Sequence, residues 1–327
     1  MATLPDLAPE IERDLTRRLE LVEKLLFAHV EGKYPFVNET SRHLIVAGGK
    51  RLRPVLTLLA ANYGNKGERE VIEAEVVCEL THLATLYHDD VMDEAPLRRG
   101  VESANERWGN AVAILTGDYL FAKASDLLAD LGPEAVRLQA RTFERLVIGQ
   151  IRETQGPQNG ADPLVHYISV IADKTGSLFG TSIRFGALLA GADTQIVEAL
   201  TAFGEEIGIA FQLADDVIDI ASETNESGKT PGTDLREGVP TLVTLLVQKA
   251  NRPEDQKLIN SLAGPILDES EVAEVLNALR SHPALDEART IAMQYAENSR
   301  KLLSVLPVNE TTSAFLTLCD SLVTRSS

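Results

Sequence analysis

The sequence predicts an all-α protein, a single large bundle of about a dozen helices built from residues 1–327. Three observations lead there. Apolar residues recur at helical spacing along nearly the whole chain, as in Leu15, Leu19, Val22 and Leu26 and again in Ile207, Phe211, Ala214 and Ile218. Alternation of period two is scarce, so there is little from which to build strands. Residues that end helices fall at suitable intervals: Gly48-Gly49, Gly64, Gly132-Pro133, Gly156-Pro157, Gly160, Gly191, Gly228 to Gly238, and Pro283. No linker, low-complexity tract or short-period repeat divides the chain.

Met1 to Asp14 is acidic and lacks an apolar core, so a signal peptide is not expected. The stretch from Glu68 to Asp93 contains no Gly or Pro and reads as one helix of roughly 26 residues, about 39 Å long. At 100° per residue, Ala74, Cys78, Thr81 and Thr85 lie within about 60° of one another, with Asp89 at the edge of that arc. A stripe of small side chains therefore runs down from the acidic end of this helix. Lone Trp108 is assigned to packing.

Composition narrows the function. The chain is 44% hydrophobic and 24% charged, with formal charge 31 − 49 = −18. That balance fits an ordinary globular protein and repels nucleic-acid phosphates and anionic headgroups, so any phosphate site must be local. Cys78 and Cys319 sit in apolar, helix-like stretches, which indicates no disulfide framework and fits a reducing compartment. No run approaches the roughly 20 apolar residues of a membrane span. A cytoplasmic protein is expected.

Two acidic clusters carry the chemistry: Asp89-Asp90-Val91-Met92-Asp93 and, 126 positions later, Asp215-Asp216-Val217-Ile218-Asp219. Residues 89 and 93, like 215 and 219, are i and i+4 and share a helix face. Carboxylates about 4 Å apart repel by roughly 4 kcal/mol at an effective dielectric near 20, and a hard divalent cation reverses this. Mg²⁺, which shares its shell with water and substrate phosphates, suits so few protein ligands. The bland alternative is a solvated acidic face, and two copies embedded in apolar helices weaken it. Cations gather nearby in Gly48-Gly49-Lys50-Arg51-Leu52-Arg53-Pro54 and Arg98-Arg99-Gly100, a composition suited to a diphosphate. Gly48-Gly49 alone reads equally well as a helix C-cap. The clusters thus point to a Mg²⁺-dependent enzyme holding a diphosphate between them.

These residues resemble the trans-polyprenyl diphosphate synthases. The resemblance rests on Gly48 to Pro54, His82 to Asp93, Arg98-Arg99-Gly100, Lys174-Thr175-Gly176-Ser177-Leu178-Phe179, Phe211-Gln212 to Asp219, and Gly228-Lys229 to Gly238. It implies an isoprenoid synthase-like bundle around a central cavity and a homodimer. It also implies two substrates, isopentenyl diphosphate and an allylic diphosphate such as farnesyl diphosphate. By position, Asp89, Asp93 and Asp215 would ligate Mg²⁺, with Asp90, Asp216 and Asp219 in support and three ions present when substrate is bound. Lys50, Arg53, His82 and Arg99 would hold isopentenyl diphosphate; Arg98, Lys174 and Lys229 would hold the allylic diphosphate. Thr175 and Gln212 match positions whose oxygens face the forming carbocation. Each has a bland rival: His82 as a core histidine, Gln212 as a backbone-bonded polar residue, Lys174 at a helix C-terminus, Lys229 as a solvated loop lysine.

In that family the product grows along the helix of the first motif, and bulky residues just before the motif stop it early. Here those positions are Thr85 and Ala84, with Thr81, Cys78 and Ala74 below. One turn rises about 5.4 Å, similar to an isoprene unit, so several units fit. The stretch Ala84-Thr85-Leu86-Tyr87-His88 resembles that of bacterial synthases of quinone side chains, which implies a long product of about seven to ten units, such as menaquinone requires. Close helix packing is the other reading of the stripe. A geranylgeranyl-type synthase, a terpene cyclase, a non-catalytic partner subunit and a Ca²⁺-buffering protein are the competitors. Intact Asp motifs argue against the partner subunit, Lys50 to Pro54 against a cyclase, and the absence of an EF-hand loop against Ca²⁺ buffering.

Overall fold

The computed structural model describes residues 7–49, 51–222 and 231–326. Lys50, Gly228 and Lys229 lie outside the described residues. Among those described, sixteen α-helical segments are joined by turns, one π-helical turn and a single two-stranded hairpin. The class is all-α, as the periodicity predicts. There are more segments than a dozen because short pieces such as Ala104–Trp108, Thr233–Glu237 and Gln256–Ser261 stand apart from the long helices. Gly109, at φ 86°, separates Ala104–Trp108 from Asn110–Leu131. No helix among the described residues is long and apolar enough to cross a membrane.

The chain forms two compact units. The first comprises residues 1–143, 179–204 and 303–317. Its axis is the helix Glu68–Met92, close to the span expected, in which every residue from Val71 to Thr81 is buried. It is therefore enclosed on all sides over three turns, and the stripe of small residues is one strip of a wholly buried cylinder. Asn110–Leu131 is its principal neighbour. The two approach closely because Gly117 has no side chain: a Cβ there would lie 2.3 Å from His88 Nε2 and 3.1 Å from the Ala84 carbonyl. Pro9–Val30 adds Leu15, Leu19, Val22, Leu26 and Val30 to this core, each such burial contributing roughly 1.5–3 kcal/mol. Tyr87, fully buried, donates to the Thr40 carbonyl at 2.5 Å and accepts from Leu44 N–H at 3.3 Å, tying the helix to Pro35–Val46.

The second unit comprises residues 144–178, 205–302 and 318–327. Its core joins Leu213, Val217 and Ile220 to Leu242, Leu246, Leu279 and Ala288. Polar caps set the helix starts: Asp162 accepts from Leu164 N–H at 2.8 Å and Val165 N–H at 3.1 Å, and Thr241 and Thr244 form a reciprocal capping box before Leu242–Ala250. After Pro163–Ile171 the backbone makes one π-helical turn, Ala172–Gly176, before the next helix begins at Ser177.

Candidate active site

In the first unit, Asp89, Asp90 and Asp93 occupy the C-terminal end of Glu68–Met92, where the helix dipole already places partial negative charge. Acids are unfavourable there without a cation. Arg98 supplies part of the compensation: its Nε donates to Asp90 Oδ1 at 2.5 Å and its guanidinium reaches within 4.0 Å of Asp93. Asp90 is fully buried, and burial raises its pKa while Arg98 opposes the rise. Asp89 and Asp93 are the more accessible pair. Arg98 is aimed by the hairpin Leu97–Arg98 and Val101–Glu102, whose turn residues Arg99 and Gly100 have φ of 54° and 79°. Both positive values mark the tight turn that matches strand twist.

That turn also directs Arg99 toward a second group. Arg99 donates to the Leu44 carbonyl at 2.7 Å, and a Cβ on Gly49 would sit 3.1 Å from its Cζ and 3.3 Å from a terminal nitrogen of Arg51. Arg53 stacks 4.9 Å from the Phe179 ring centroid, and its Nε meets no acceptor among the described residues. His82 is half-buried in the same neighbourhood. Desolvation first, then Arg53, Arg99 and Arg51, push its pKa well below the usual imidazole value. Burial likewise lowers the pKa values of Arg53 and Arg99. Arg53, Arg99 and an imidazole that resists protonation form a site in want of an anion.

Sequence reasoning missed the carboxylates behind these cations. Arg51, at φ 51°, is buried and pairs with Glu23 and, at 3.0 Å, with Glu79. A left-handed arginine costs on the order of 1–2 kcal/mol, so these pairs must hold it. Glu75, one turn below Glu79 and fully buried, accepts from Thr57 Oγ1 at 2.5 Å. Acids at 75 and 79 inside the apolar run from Val71 to Leu83 are the available signal.

The stripe of small residues lies along the same helix. Ala74, Cys78, Thr81 and Ala84 are fully buried and Thr85 is half-buried, its hydroxyl donating to the His82 carbonyl at 2.8 Å. Thr81 accepts from Gln139 Nε2 at 2.6 Å, a contact that the sequence does not signal. Trp108 packs edge-on against Phe36 and His43, as expected for a packing residue.

In the second unit, Asp215, Asp216 and Asp219 lie on Thr194–Ala221. Asp216 is buried and accepts from Tyr167 Oη, from Leu242 N–H at 3.1 Å and from Gln212 Nε2 at 3.2 Å. Desolvation pushes it up to about 6 despite these donors. Asp219 accepts from Thr233 N–H at 3.4 Å. Gln212 presents its carbonyl to Thr175, whose Oγ1 donates at 3.4 Å. Lys174 and Thr175 ride on the π-helical turn, a distortion frequent at functional sites. Asp173 anchors that turn by accepting from Arg145 and Arg152, each at 3.2 Å. Lys174 pairs with Glu153. Sequence reasoning does not find Tyr167, Asp173, Arg145, Arg152 or Glu153, since their roles depend on contacts between separate helices.

Among the described residues no group of three or more His, Cys, Asp or Glu forms a ready-made metal cage. The donors present are nevertheless oxygen-only carboxylates, the set a hard cation takes when water and substrate oxygens complete its shell. They fit Mg²⁺.

The family model described as polyprenyl synthetase matches residues 34–280. A nonaprenyl diphosphate synthase of Mycobacterium tuberculosis is 47% identical over 93% of this chain and 91% of its own. Heptaprenyl diphosphate synthase component 2 of Geobacillus stearothermophilus is 37% identical over 90% of this chain and 92% of its own. The crystal structure of a geranylgeranyl pyrophosphate synthase from Corynebacterium glutamicum, complexed with calcium and isoprenyl diphosphate, superposes with TM-score 0.88 at 42% identity, covering 98% of this chain and 99% of that one.

Proposed function

The chain belongs to the polyprenyl synthetase family, and on that premise we propose that it condenses isopentenyl diphosphate head-to-tail with an allylic diphosphate, making a long all-trans polyprenyl diphosphate. The observation that carries the reading is Arg53, whose Nε meets no acceptor among the described residues, with Arg99 beside Gly49 and His82 close enough to feel both cations, in a chain of net charge −18. With Lys50, these residues are the proposed isopentenyl diphosphate site. Arg98, Lys174 and Lys229 are the proposed partners of the allylic diphosphate.

Asp89, Asp93 and Asp215 would hold Mg²⁺, with Asp90, Asp216 and Asp219 supporting them. Bound Mg²⁺ supplies Lewis-acid stabilisation of the departing diphosphate. The protein's own groups do the rest. Arg98 and Lys174 neutralise charge that builds on the leaving oxygen as the allylic C–O bond breaks. Arg53, His82 and Arg99 hold isopentenyl diphosphate so that its double bond attacks the allylic carbon, converting an encounter into an effectively unimolecular step. Diphosphate departs as the C–O bond breaks, a C–C bond forms in its place, and one proton passes from the adjacent carbon to the released diphosphate. Thr175 and Gln212 offer oxygen dipoles to the positive charge that exists in between.

Small residues at Ala84 and Thr85 and the nonaprenyl and heptaprenyl relatives support a product of about seven to ten units, suited to a quinone side chain. A homodimer is the proposed assembly. The geranylgeranyl relative favours a shorter product as the second reading. Purified protein incubated with isopentenyl diphosphate, farnesyl diphosphate and Mg²⁺ decides by product length. Chains of C35 or more support the proposal, a stop at C20 supports the second reading, and no elongation overturns both.

A further inference from the structure

We propose that Arg51 and Glu79 are positioning residues for the isopentenyl diphosphate site, a strut that fixes Arg53, His82 and Arg99 without touching substrate. The inference rests on the reading of those three residues as that site. Arg51 lies inside the Gly48 to Pro54 segment, yet its side chain turns inward and is only 6% exposed. Its Nε is directed at Glu23, one terminal nitrogen at Glu79 (3.0 Å) and the other at Glu23 (3.3 Å). Glu23 belongs to Pro9–Val30 and Glu79 to Glu68–Met92, so one guanidinium joins two helices to the start of a third, Leu52–Ala61. Such a fork fits two carboxylates in a way that an ammonium cannot.

Three connections run from this strut to the proposed ligands. Arg53 follows Arg51 by two residues in the first turn of Leu52–Ala61, so the left-handed backbone at Arg51 sets the direction in which that helix begins. His82 lies one turn beyond Glu79 on the same helix. Arg99 and Arg51 flank one point of the Gly49 backbone, where a Cβ would meet both guanidinium groups within 3.3 Å. Glu79 is also the favourable charge common to Arg51, Arg53 and Arg99. It offsets their mutual repulsion while Arg51 occupies its carboxylate, which leaves Arg53 and Arg99 to a diphosphate.

The position and the charge of Glu79 predict opposite results. If only charge mattered, removing a carboxylate near a bound trianion would tighten binding. If Glu79 positions the site, its loss frees Arg51 and weakens binding. The test compares Glu79→Gln, which keeps shape, with Arg51→Lys, which keeps charge, and with Glu23→Gln at the more exposed end of the strut. Arg53→Ala is the control for the site itself. Steady-state kinetics are measured against each substrate in turn, with circular dichroism confirming the fold. For Glu79→Gln and Arg51→Lys the expected result is a KM for isopentenyl diphosphate raised on the order of tenfold, as loss of a partner behind a ligand commonly produces. KM for the allylic diphosphate and kcat should stay within about twofold. Glu23→Gln should shift the same KM in the same direction by less, and it decides the matter should either buried variant fail to fold. An unchanged or lowered KM in the folded variants, with Arg53→Ala raising it, overturns the strut and leaves the site reading intact. An unchanged KM in Arg53→Ala overturns both.

Discussion

Arg98 donates its Nε hydrogen to Asp90 Oδ1 at 2.5 Å, which makes the central acid of the first cluster an ion-paired support for its neighbours. Asp90 is fully buried and its other oxygen, Oδ2, meets no partner among the described residues. Removing Arg98 would strand a buried carboxylate, a loss that typically costs about 3 kcal/mol. Arg98→Ala is therefore expected to lower unfolding free energy by about that amount in urea titrations. Adding Asp90→Asn to the same chain should recover part of the loss, because the stranded charge is gone. Equal stability of the single and double variants would count against the pair.

Glu75 predicts a pH dependence. Burial, with Glu79 nearby, raises its pKa well above the ordinary value of 4.5, opposed by the Thr57 hydrogen bond and by Arg53 and Arg51. The folded chain thus keeps a proton that the unfolded chain releases. Stability contributed by this group is present below about 4.5 and declines as pH rises from there toward the folded value. Glu75→Gln retains an acceptor for Thr57 and removes the titration. Its stability relative to the parent chain should increase as pH rises through the range above about 4.5. A difference that stays flat across that range would show Glu75 to be ionised in the folded protein.

Much of the fold and part of the site are legible in the sequence. Helical periodicity and glycine punctuation predict the class and, within a residue, the span of Glu68–Met92. The Asp clusters announce themselves because their spacing is local, i and i+4 on one helix. What escapes is of another kind. Arg51 with Glu23 and Glu79, Tyr167 with Asp216, and Asp173 with Arg145 and Arg152 join residues 21 or more positions apart, and periodicity carries no pairing information. The hairpin at Leu97 to Glu102 is too short for an alternation pattern to appear, although Arg99-Gly100 is a fair turn signal.

The π-helical turn depends on one absent side chain. A Cβ on Gly149 would lie 2.9 Å from Lys174 Cγ and 3.1 Å from Asp173 Cβ. Gly149→Ala must push that turn away or distort it, moving Lys174 and Thr175 together. Expected consequences are a fall in kcat on the order of tenfold or more and little change in KM for isopentenyl diphosphate. Single-turnover kinetics with farnesyl diphosphate would locate the loss in the chemical step. Wild-type turnover in a folded Gly149→Ala protein would remove the turn from the account.

Product length offers the last test, and Thr85 is the better of two positions for it. Ala84 is fully buried, and its carbonyl lies 3.1 Å from where a Cβ on Gly117 would stand. A phenylalanine at 84 overpacks this crossing and costs about 1–3 kcal/mol, so altered products could reflect a disturbed helix pair. Thr85 is half-buried, one turn before Asp89, and its hydroxyl bonds locally to the His82 carbonyl. Thr85→Phe should therefore leave stability within about 1 kcal/mol while placing a ring across the path proposed for the growing chain. The main product is expected to shorten by several isoprene units with the first condensations proceeding normally. Chain-length analysis after complete conversion reads the result directly. A product spectrum identical to that of the parent chain, from a variant of unchanged thermal stability, would show that the stripe serves helix packing alone.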